Sequence, residues 1–205
     1  MERFIRLFSY IFYPLFVPAY ATLFYFLLAG KYLYNNEVYL IFIQVLILTI
    51  LLPVSIFYLL RSLGAVKTKM LTDKKERRLP LAINCLLFLM LTEYSFKDFS
   101  IQDLYFYFLG TLISNVGALI LVLRHVKASL HMMAITSLTM FVISLSVYYH
   151  VRLLVPIALL IICCGYVASS RLQEKAHTPA ELIIGSLLGI VPQLGLWYVW
   201  LLPAL

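Results

Sequence analysis

The sequence predicts an all-α protein, a polytopic bundle of six to seven transmembrane helices that forms a single domain over residues 1–205. The chain is 63% hydrophobic and 12% charged, and its mean hydropathy is +0.98. A soluble domain of this length cannot bury so much apolar surface in one core. Apolar runs of roughly 17–25 residues recur along the chain, and each is long enough to cross a bilayer as a helix. We therefore expect an integral membrane protein.

Seven apolar runs account for most of the chain. The first is too long for the core of a signal peptide and lacks a small-residue cleavage site, so we expect it to be a retained span. The third is interrupted by Glu93 and the sixth is short, which leaves open six spans with one re-entrant or interfacial piece. The runs are residues 9–30, 38–60, 80–96, 103–123, 131–149, 153–169 and 181–202.

The distribution of basic residues predicts the orientation. With seven spans, the amino terminus and the links at 61–79, 124–130 and 170–180 lie on one side of the membrane. That side holds thirteen of the sixteen Lys and Arg residues, and the other side holds three. Since cytoplasmic loops are enriched in Lys and Arg, the basic side is expected to face the cytoplasm, in a bacterial inner (plasma) membrane.

The cysteines do not indicate a metal or redox site. Cys85, Cys163 and Cys164 all lie inside apolar runs, and their spacing suits neither metal ligation nor a structural disulfide. We expect them to pack between helices.

A dense polar cluster lies between the last two apolar runs, in the stretch from Ser170 to Gly185. Charged and titratable residues at the mouth of a membrane span are costly unless they bind or react with something. An Arg is well suited to bind paired phosphate oxygens, because its planar guanidinium can donate two parallel hydrogen bonds. The charged or titratable members are Arg171, Glu174, Lys175, His177 and Glu181.

Two interpretations of Glu181 are open. Thr178, Pro179 and Glu181 have the spacing of a helix start, with Thr178 as N-cap, and this makes Glu181 the partner in a capping box. Alternatively, Glu181 accepts a hydrogen bond from the His177 imidazole, fixing its tautomer and raising its nucleophilicity. A carboxylate has two oxygens, so the two interpretations are compatible in part.

Two further clusters fall on the same predicted side. His131 lies at the mouth of the fifth run, beside Lys127 and Ser129. A lone His at a span end is usually interfacial, but its neighbours and its shared side with His177 favour a site. Arg77 and Arg78 precede the third run, where a side chain can point into a site. Lys67, Lys74 and Lys75 are typical of a loop that contacts anionic headgroups.

The three clusters together resemble the type 2 phosphatidic acid phosphatase superfamily. The pattern of its third signature is met by Ser170, Arg171, His177, Glu181 and Gly185. Its second signature, Pro-Ser-Gly-His, is matched in part by residues 128–131, Ala-Ser-Leu-His. Its first is matched loosely, with displaced spacing, by Lys69 and the Arg77-Arg78-Leu79-Pro80 sequence. The motifs occur in the family's order and span residues 69–185.

The resemblance implies a metal-independent phosphatase, without a cofactor, that works through a phosphohistidine intermediate. It implies His177 as nucleophile, Glu181 as the residue that orients it and His131 as the acid that protonates the leaving alkoxide. Clustered cations suit this chemistry, because phosphoryl transfer depends mainly on positioning and charge stabilisation. The phosphate-binding residues implied are Arg171, Arg77, Arg78, Lys69 and Ser129.

The expected substrate is a lipid phosphate in the bilayer: phosphatidic acid, phosphatidylglycerol phosphate or a polyprenyl diphosphate. We expect no nucleic-acid partner and no obligate protein partner. This sequence has Glu181 where the family has Asp and Leu130 where it has Gly, and an extra apolar hairpin separates the first two signatures. Two alternatives remain: a catalytically altered binder of anionic lipid, and a small transporter with polar residues in its spans. Against transport, Gln44, Asn84 and Asn115 are uncharged and expected to hydrogen-bond between helices.

Overall fold

The regular structure is helical throughout the residues that the computed structural model describes, which are 2–29, 35–64, 74–96 and 101–204. The α-helices are α1 (Glu2–Ile11), α2 (Val17–Ala29), α3 (Asn35–Leu46), α4 (Leu52–Ser62), α5 (Lys74–Met90), α6 (Gln102–Leu123), α7 (Leu130–Tyr148), α8 (Leu154–Gln173) and α9 (Pro179–Trp200). A π turn, Ile47–Leu51, joins α3 to α4, and a second, Leu91–Ser95, follows α5. The last short turn is a 3-10 helix, Leu202–Ala204.

Among the described residues, five helical segments are long and apolar enough to cross a membrane, which supports an integral membrane protein. They correspond to the second, fourth, fifth, sixth and seventh predicted runs. The segments are Val38–Ser62, Gln102–Leu123, Leu130–Tyr148, Leu154–Gln173 and Pro179–Trp200.

The two remaining runs differ from the prediction. The first, expected as one span over 9–30, is divided into α1 and the 13-residue α2. Pro14 lies in the break, because proline has no backbone N–H and disfavours the helical conformation of the residue before it. The third, expected over 80–96, is contained in α5, which begins at Lys74, and in the π turn after it. Arg77 and Arg78 are therefore helical residues in the first two turns of α5.

Close packing of α9 against α6 and α7 forms the centre of the bundle. A Cβ added at Gly189 would lie 2.3 Å from the carbonyl oxygen of Met133 on α7, so only glycine permits this approach. The Gln193 amide of α9 donates to the Tyr107 carbonyl of α6 and to the Ser137 hydroxyl of α7, both at 3.0 Å. Ser114 of α6 donates to the Leu188 carbonyl at 2.7 Å. These contacts fix α7, which carries His131, and α9, which begins two residues after His177.

The two ends of this bundle carry different polar groups. The first residues of α5, α7 and α9 and the last turn of α8 meet at one end, where the predicted site residues lie. At the opposite end, the Tyr149 hydroxyl donates to Asp103 Oδ2 at 2.6 Å, and Tyr25 hydrogen-bonds to Tyr149. Phe106 and Trp200 stack there, with ring centroids 5.8 Å apart.

Candidate functional site

The link between α8 and α9 forms the centre of the candidate site. His177 Nδ1 lies 2.8 Å from Glu181 Oε2. Thr178 is the N-cap of α9: its hydroxyl accepts from the Glu181 N–H, and its own N–H donates to Glu181 Oε2, both at 3.3 Å. The predicted helix start is confirmed. A single carboxylate oxygen serves both the capping box and the imidazole, so the two interpretations of Glu181 describe one arrangement.

A tight turn at the end of α8 places Arg171 at this site. Lys175 has a φ of 50°, in the left-handed region, and the Ala176 N–H donates to the Arg171 carbonyl at 3.1 Å. This is the hydrogen bond that closes a helix ending in a left-handed residue. Arg171 is buried, with 8% of its surface exposed, and its guanidinium binds the Glu174 carboxylate. Its Nε has no hydrogen-bond partner among the described residues.

The link between α6 and α7 is joined to the α8–α9 link by two hydrogen bonds. The Lys127 ammonium donates to the Ala176 carbonyl at 2.8 Å, and the Ser129 N–H donates to the Glu181 carbonyl at 3.0 Å. The fully buried Ser129 hydroxyl accepts from the Met132 N–H, so Ser129 is the N-cap of α7. The sequence predicted a phosphate contact for this side chain, and the structure places it in a cap.

Gly185 lets the two links approach. A Cβ at this position would lie 2.4 Å from the Ser129 carbonyl oxygen. Since that oxygen belongs to backbone, no flexible side chain can move to make room. The last residue of the third motif is therefore a glycine because α9 touches the cap of α7.

His131 lies in the first turn of α7, near the His177 dyad. Its electrostatic interactions are with Arg171, His177 and Arg77, which places these groups around one point. Its imidazole hydrogen-bonds to the backbone of Ser9. The Tyr13 ring packs edge-on against it, with ring centroids 5.4 Å apart. The first residues of the chain thus orient a residue of the second motif.

The amino-terminal helix also contacts the third motif. The Ser9 hydroxyl donates to the Ser170 hydroxyl at 2.7 Å, and both residues are buried. Phe8 stacks on Tyr166, with ring centroids 4.5 Å apart. No local pattern indicates these contacts, because Ser9 and Ser170 lie 161 residues apart in the chain.

The first motif is represented by the start of α5. Burial lowers the pKa of Arg77, and the nearby Glu181 carboxylate opposes this change. Arg77 also interacts electrostatically with both histidines, so it belongs to the site. Arg78 is half-buried, and its Nε has no hydrogen-bond partner among the described residues. Lys69 lies outside the described residues.

The environment of His177 favours the neutral imidazole. Burial lowers its pKa from 6.5 to about 4, the hydrogen bond to Glu181 raises it, and the positive charges of Lys127 and Arg77 lower it. A neutral His177 whose Nδ1–H donates to Glu181 has its lone pair on Nε2. The arrangement can therefore present a nucleophilic nitrogen beside several cations at neutral pH.

An open cleft of about 440 Å³ gives access to this group. It is lined by both links, including Lys127, Lys175, His177 and Glu181. Sequence reasoning did not identify Glu174 as the partner of Arg171 or Tyr13 as the neighbour of His131. The Arg171–Glu174 pair could have been predicted, since an acidic residue three positions after an arginine on a helix lies on the same face.

No protein-family model, no curated protein and no solved structure matches this chain.

Proposed function

We propose that this protein is a membrane-integral lipid phosphate phosphatase, a divergent relative of the type 2 phosphatidic acid phosphatases that it resembles. The observation that carries the proposal is the His177–Glu181 pair, joined at 2.8 Å beside His131 and several cations at an open cleft. A nucleophile, a residue that orients it, a second histidine and charge stabilisation are the parts that phosphoryl transfer requires.

His177 is the proposed nucleophile. Its Nδ1–H donates to Glu181, and its Nε2 lone pair attacks phosphorus. The P–N bond forms as the P–O bond to the lipid breaks, which leaves a phosphohistidine and a lipid alkoxide. As the ring becomes positive, the Glu181 carboxylate stabilises it, as a carboxylate does for the histidine of a catalytic triad.

His131 is the proposed acid and base. One of its nitrogens is occupied by the Ser9 backbone. The other protonates the alkoxide, helped by the negative charge of the bound phosphate, which favours the imidazolium. The neutral His131 then takes a proton from a water molecule that attacks the phosphohistidine. Inorganic phosphate leaves, and His177 and His131 return to their starting states.

The cations hold the phosphoryl oxygens. Arg171 is the principal one, because it is buried and its Nε lacks a partner among the described residues. Phosphate would replace Glu174 on its guanidinium. Arg77 and Arg78, and also Lys69, are assigned to the remaining oxygens. Ser129 acts in this scheme by capping α7 and so positioning His131.

The substrate enters from the bilayer. Five long apolar helices support a membrane location, and we further propose that α2 and α5 complete a bundle of six to seven spans. The site faces the cytoplasm of a bacterial inner membrane, as the excess of basic residues at this end suggests. Phosphatidic acid, phosphatidylglycerol phosphate and a polyprenyl diphosphate are the candidate substrates.

Phosphate release by the purified protein tests the proposal. The protein in detergent with EDTA is assayed against the three candidate lipids, beside His177→Ala and His131→Ala. Turnover by the wild type, abolished by His177→Ala, is expected. His125→Asn is the matched control: it changes a histidine at the end of α6 whose φ of 62° Asn tolerates. Lipid binding without phosphate release from any lipid would refute the phosphatase and favour the non-enzymatic binder.

A further inference from the structure

A small cavity inside the bundle has mostly apolar walls, with several polar side chains that the proposed chemistry does not use. Its volume is about 40 Å³, which is room for water. Its lining includes Leu130, adjacent to His131, and Pro14, adjacent to Tyr13. The cavity thus begins one residue away from the proposed acid and from the ring that packs on it.

Asn84 lines the cavity, and the oxygen of its side-chain amide accepts no hydrogen bond from the described residues. Asn84 Oδ1 is buried and has no hydrogen-bond partner among the described residues. Asn84 Nδ2 donates to Asn115 Oδ1 at 3.2 Å, and Asn115 Nδ2 donates to the Thr111 carbonyl at 2.8 Å. A carbonyl can only accept, so Asn115 must present Oδ1 to its neighbour and Asn84 must present Nδ2. The network therefore fixes the Asn84 carbonyl as the free acceptor.

The position of Asn84 relates this acceptor to the site. Asn84 follows Arg77 by seven residues on α5, so the two lie on one helix face, separated by about 10 Å along the axis. A lipid phosphate bound by Arg77 has its glycerol or equivalent backbone on the membrane side of the phosphate. That part of the substrate is what the cavity would meet.

We propose that Asn84 and Asn115 form a substrate subsite that selects lipid phosphates with a free hydroxyl close to the phosphoester. The hydroxyl donates to Asn84 Oδ1 and takes the place of water in the cavity. This inference rests on the proposed function. Of the three candidate substrates, phosphatidylglycerol phosphate carries such a hydroxyl, whereas phosphatidic acid and a polyprenyl diphosphate do not.

A matched pair of lipids tests the subsite. The pair is a monoacyl glycerol 3-phosphate and its 2-deoxy analogue, with the same acyl chain. For the wild type we expect kcat/KM to be about tenfold higher for the hydroxyl lipid, the effect of one buried hydrogen bond. Asn84→Leu should reduce this ratio to about one, while Thr92→Val, a polar change further along the same chain segment, should preserve it. Equal rates for the two lipids with the wild type would overturn the proposal.

A second variant distinguishes loss of the subsite from loss of folding, and a binding measurement tests the subsite without phosphatase activity. If Asn84→Leu fails to fold, the double variant Asn84→Leu/Asn115→Leu replaces both partners of the amide pair, which leaves neither one unsatisfied. The thermal stabilisation of His177→Ala by each lipid gives a readout without turnover. Stronger stabilisation by the hydroxyl lipid supports the subsite even if no lipid is hydrolysed, and equal stabilisation refutes it.

Discussion

The two ends of the bundle differ in how their buried polar groups are satisfied. At the end opposite the site, Tyr149 donates to Asp103 at 2.6 Å and Tyr25 joins the pair. At the site end, buried Arg171 and half-buried Arg78 each carry a buried nitrogen with no hydrogen-bond partner within the described residues. Buried polar groups in proteins are nearly always hydrogen-bonded, so these two nitrogens are donors that a further acceptor at the site end could use.

The lesson is that charge alone does not mark a site in a membrane protein. Asp103 is an ionisable residue within a candidate span, and its contacts are sufficient to explain it as structure. The site end combines unsatisfied donors, an open cleft and a histidine whose pKa is lowered to about 4.

The largest loss is expected from Arg171→Ala. Removing a preorganised donor to a developing oxyanion costs about 10²- to 10³-fold, and kcat/KM for phosphate release should fall by that amount. Arg171→Lys should recover only part of the loss, because an ammonium lacks the planar fork. Arg124→Ala, an exposed arginine at the end of α6, is the control and should retain wild-type kcat/KM. Unchanged kcat/KM in Arg171→Ala would show that the unsatisfied nitrogen of Arg171 does not make the site end functionally different from the opposite end.

Gly185→Ala is expected to lower kcat by about a hundredfold. The new Cβ would lie 2.4 Å from the Ser129 carbonyl oxygen and would push apart the two links. Small displacements of catalytic groups have effects of this size. Gly195→Ala changes the same helix at a position with no atom within 4 Å of the added Cβ, and it should be silent. Equal kcat in the two variants would show that the contact of α9 with Ser129 does not position the site.

Glu174→Gln should strengthen the binding of a phosphate mimic. Glu174 binds the guanidinium of Arg171, so under the proposed function it would compete with phosphate for that group. Neutralising it should lower the inhibition constant of orthovanadate about five- to tenfold, the effect of about one hydrogen bond. Glu93→Gln, in the π turn after α5, serves as the control. Weaker vanadate inhibition in Glu174→Gln would mean that Glu174 positions Arg171 instead of competing for it.

The acid limb of the pH profile tests the electrostatics of His177. Burial, Lys127 and Arg77 lower its pKa to about 4, so the nucleophile stays neutral as pH falls from 8 toward 5. We expect kcat/KM to decline only near pH 4, and not near 6.5, because protonation removes the attacking lone pair. Lys127→Met should move this limb to higher pH, and Lys127→Arg should leave it in place. A phosphate monoester itself ionises at about pH 6, so the contradicting result is an acid limb at 6.5 that moves in Lys127→Met, because that limb would belong to His177.

Local patterns allowed the sequence to predict part of this site. Thr178, Pro179 and Glu181 predicted the start of α9, because a helix cap depends on neighbours in the chain. The predicted convergence of His131 with His177 depended on counting spans, and in the structure the two histidines interact electrostatically.

The remaining features depend on contacts that no local pattern encodes. Ser9 and Tyr13 reach His131 only because the chain breaks at Pro14 and α1 packs on α8. The free acceptor of Asn84 depends on Asn115 and Thr111, which lie on another helix. Arg171 and Glu174 have the spacing of neighbours on a helix. The sequence alone could not show that Arg171 would bind Glu174 in preference to another acidic residue.

Tyr149→Phe should have the smallest effect on turnover and a clear effect on stability. The substitution removes the donor to Asp103, and leaving a buried acceptor unsatisfied costs about 1–3 kcal/mol. We expect a lower melting temperature in detergent, with kcat/KM within about twofold of the wild type at a temperature where both are folded. Tyr94→Phe is the control, since this tyrosine is 81% exposed. A purely structural network can affect turnover only through the fraction of protein that is folded. A fall in kcat/KM as large as that of Gly185→Ala, at an unchanged melting temperature, would therefore show that the Asp103 end takes part in function.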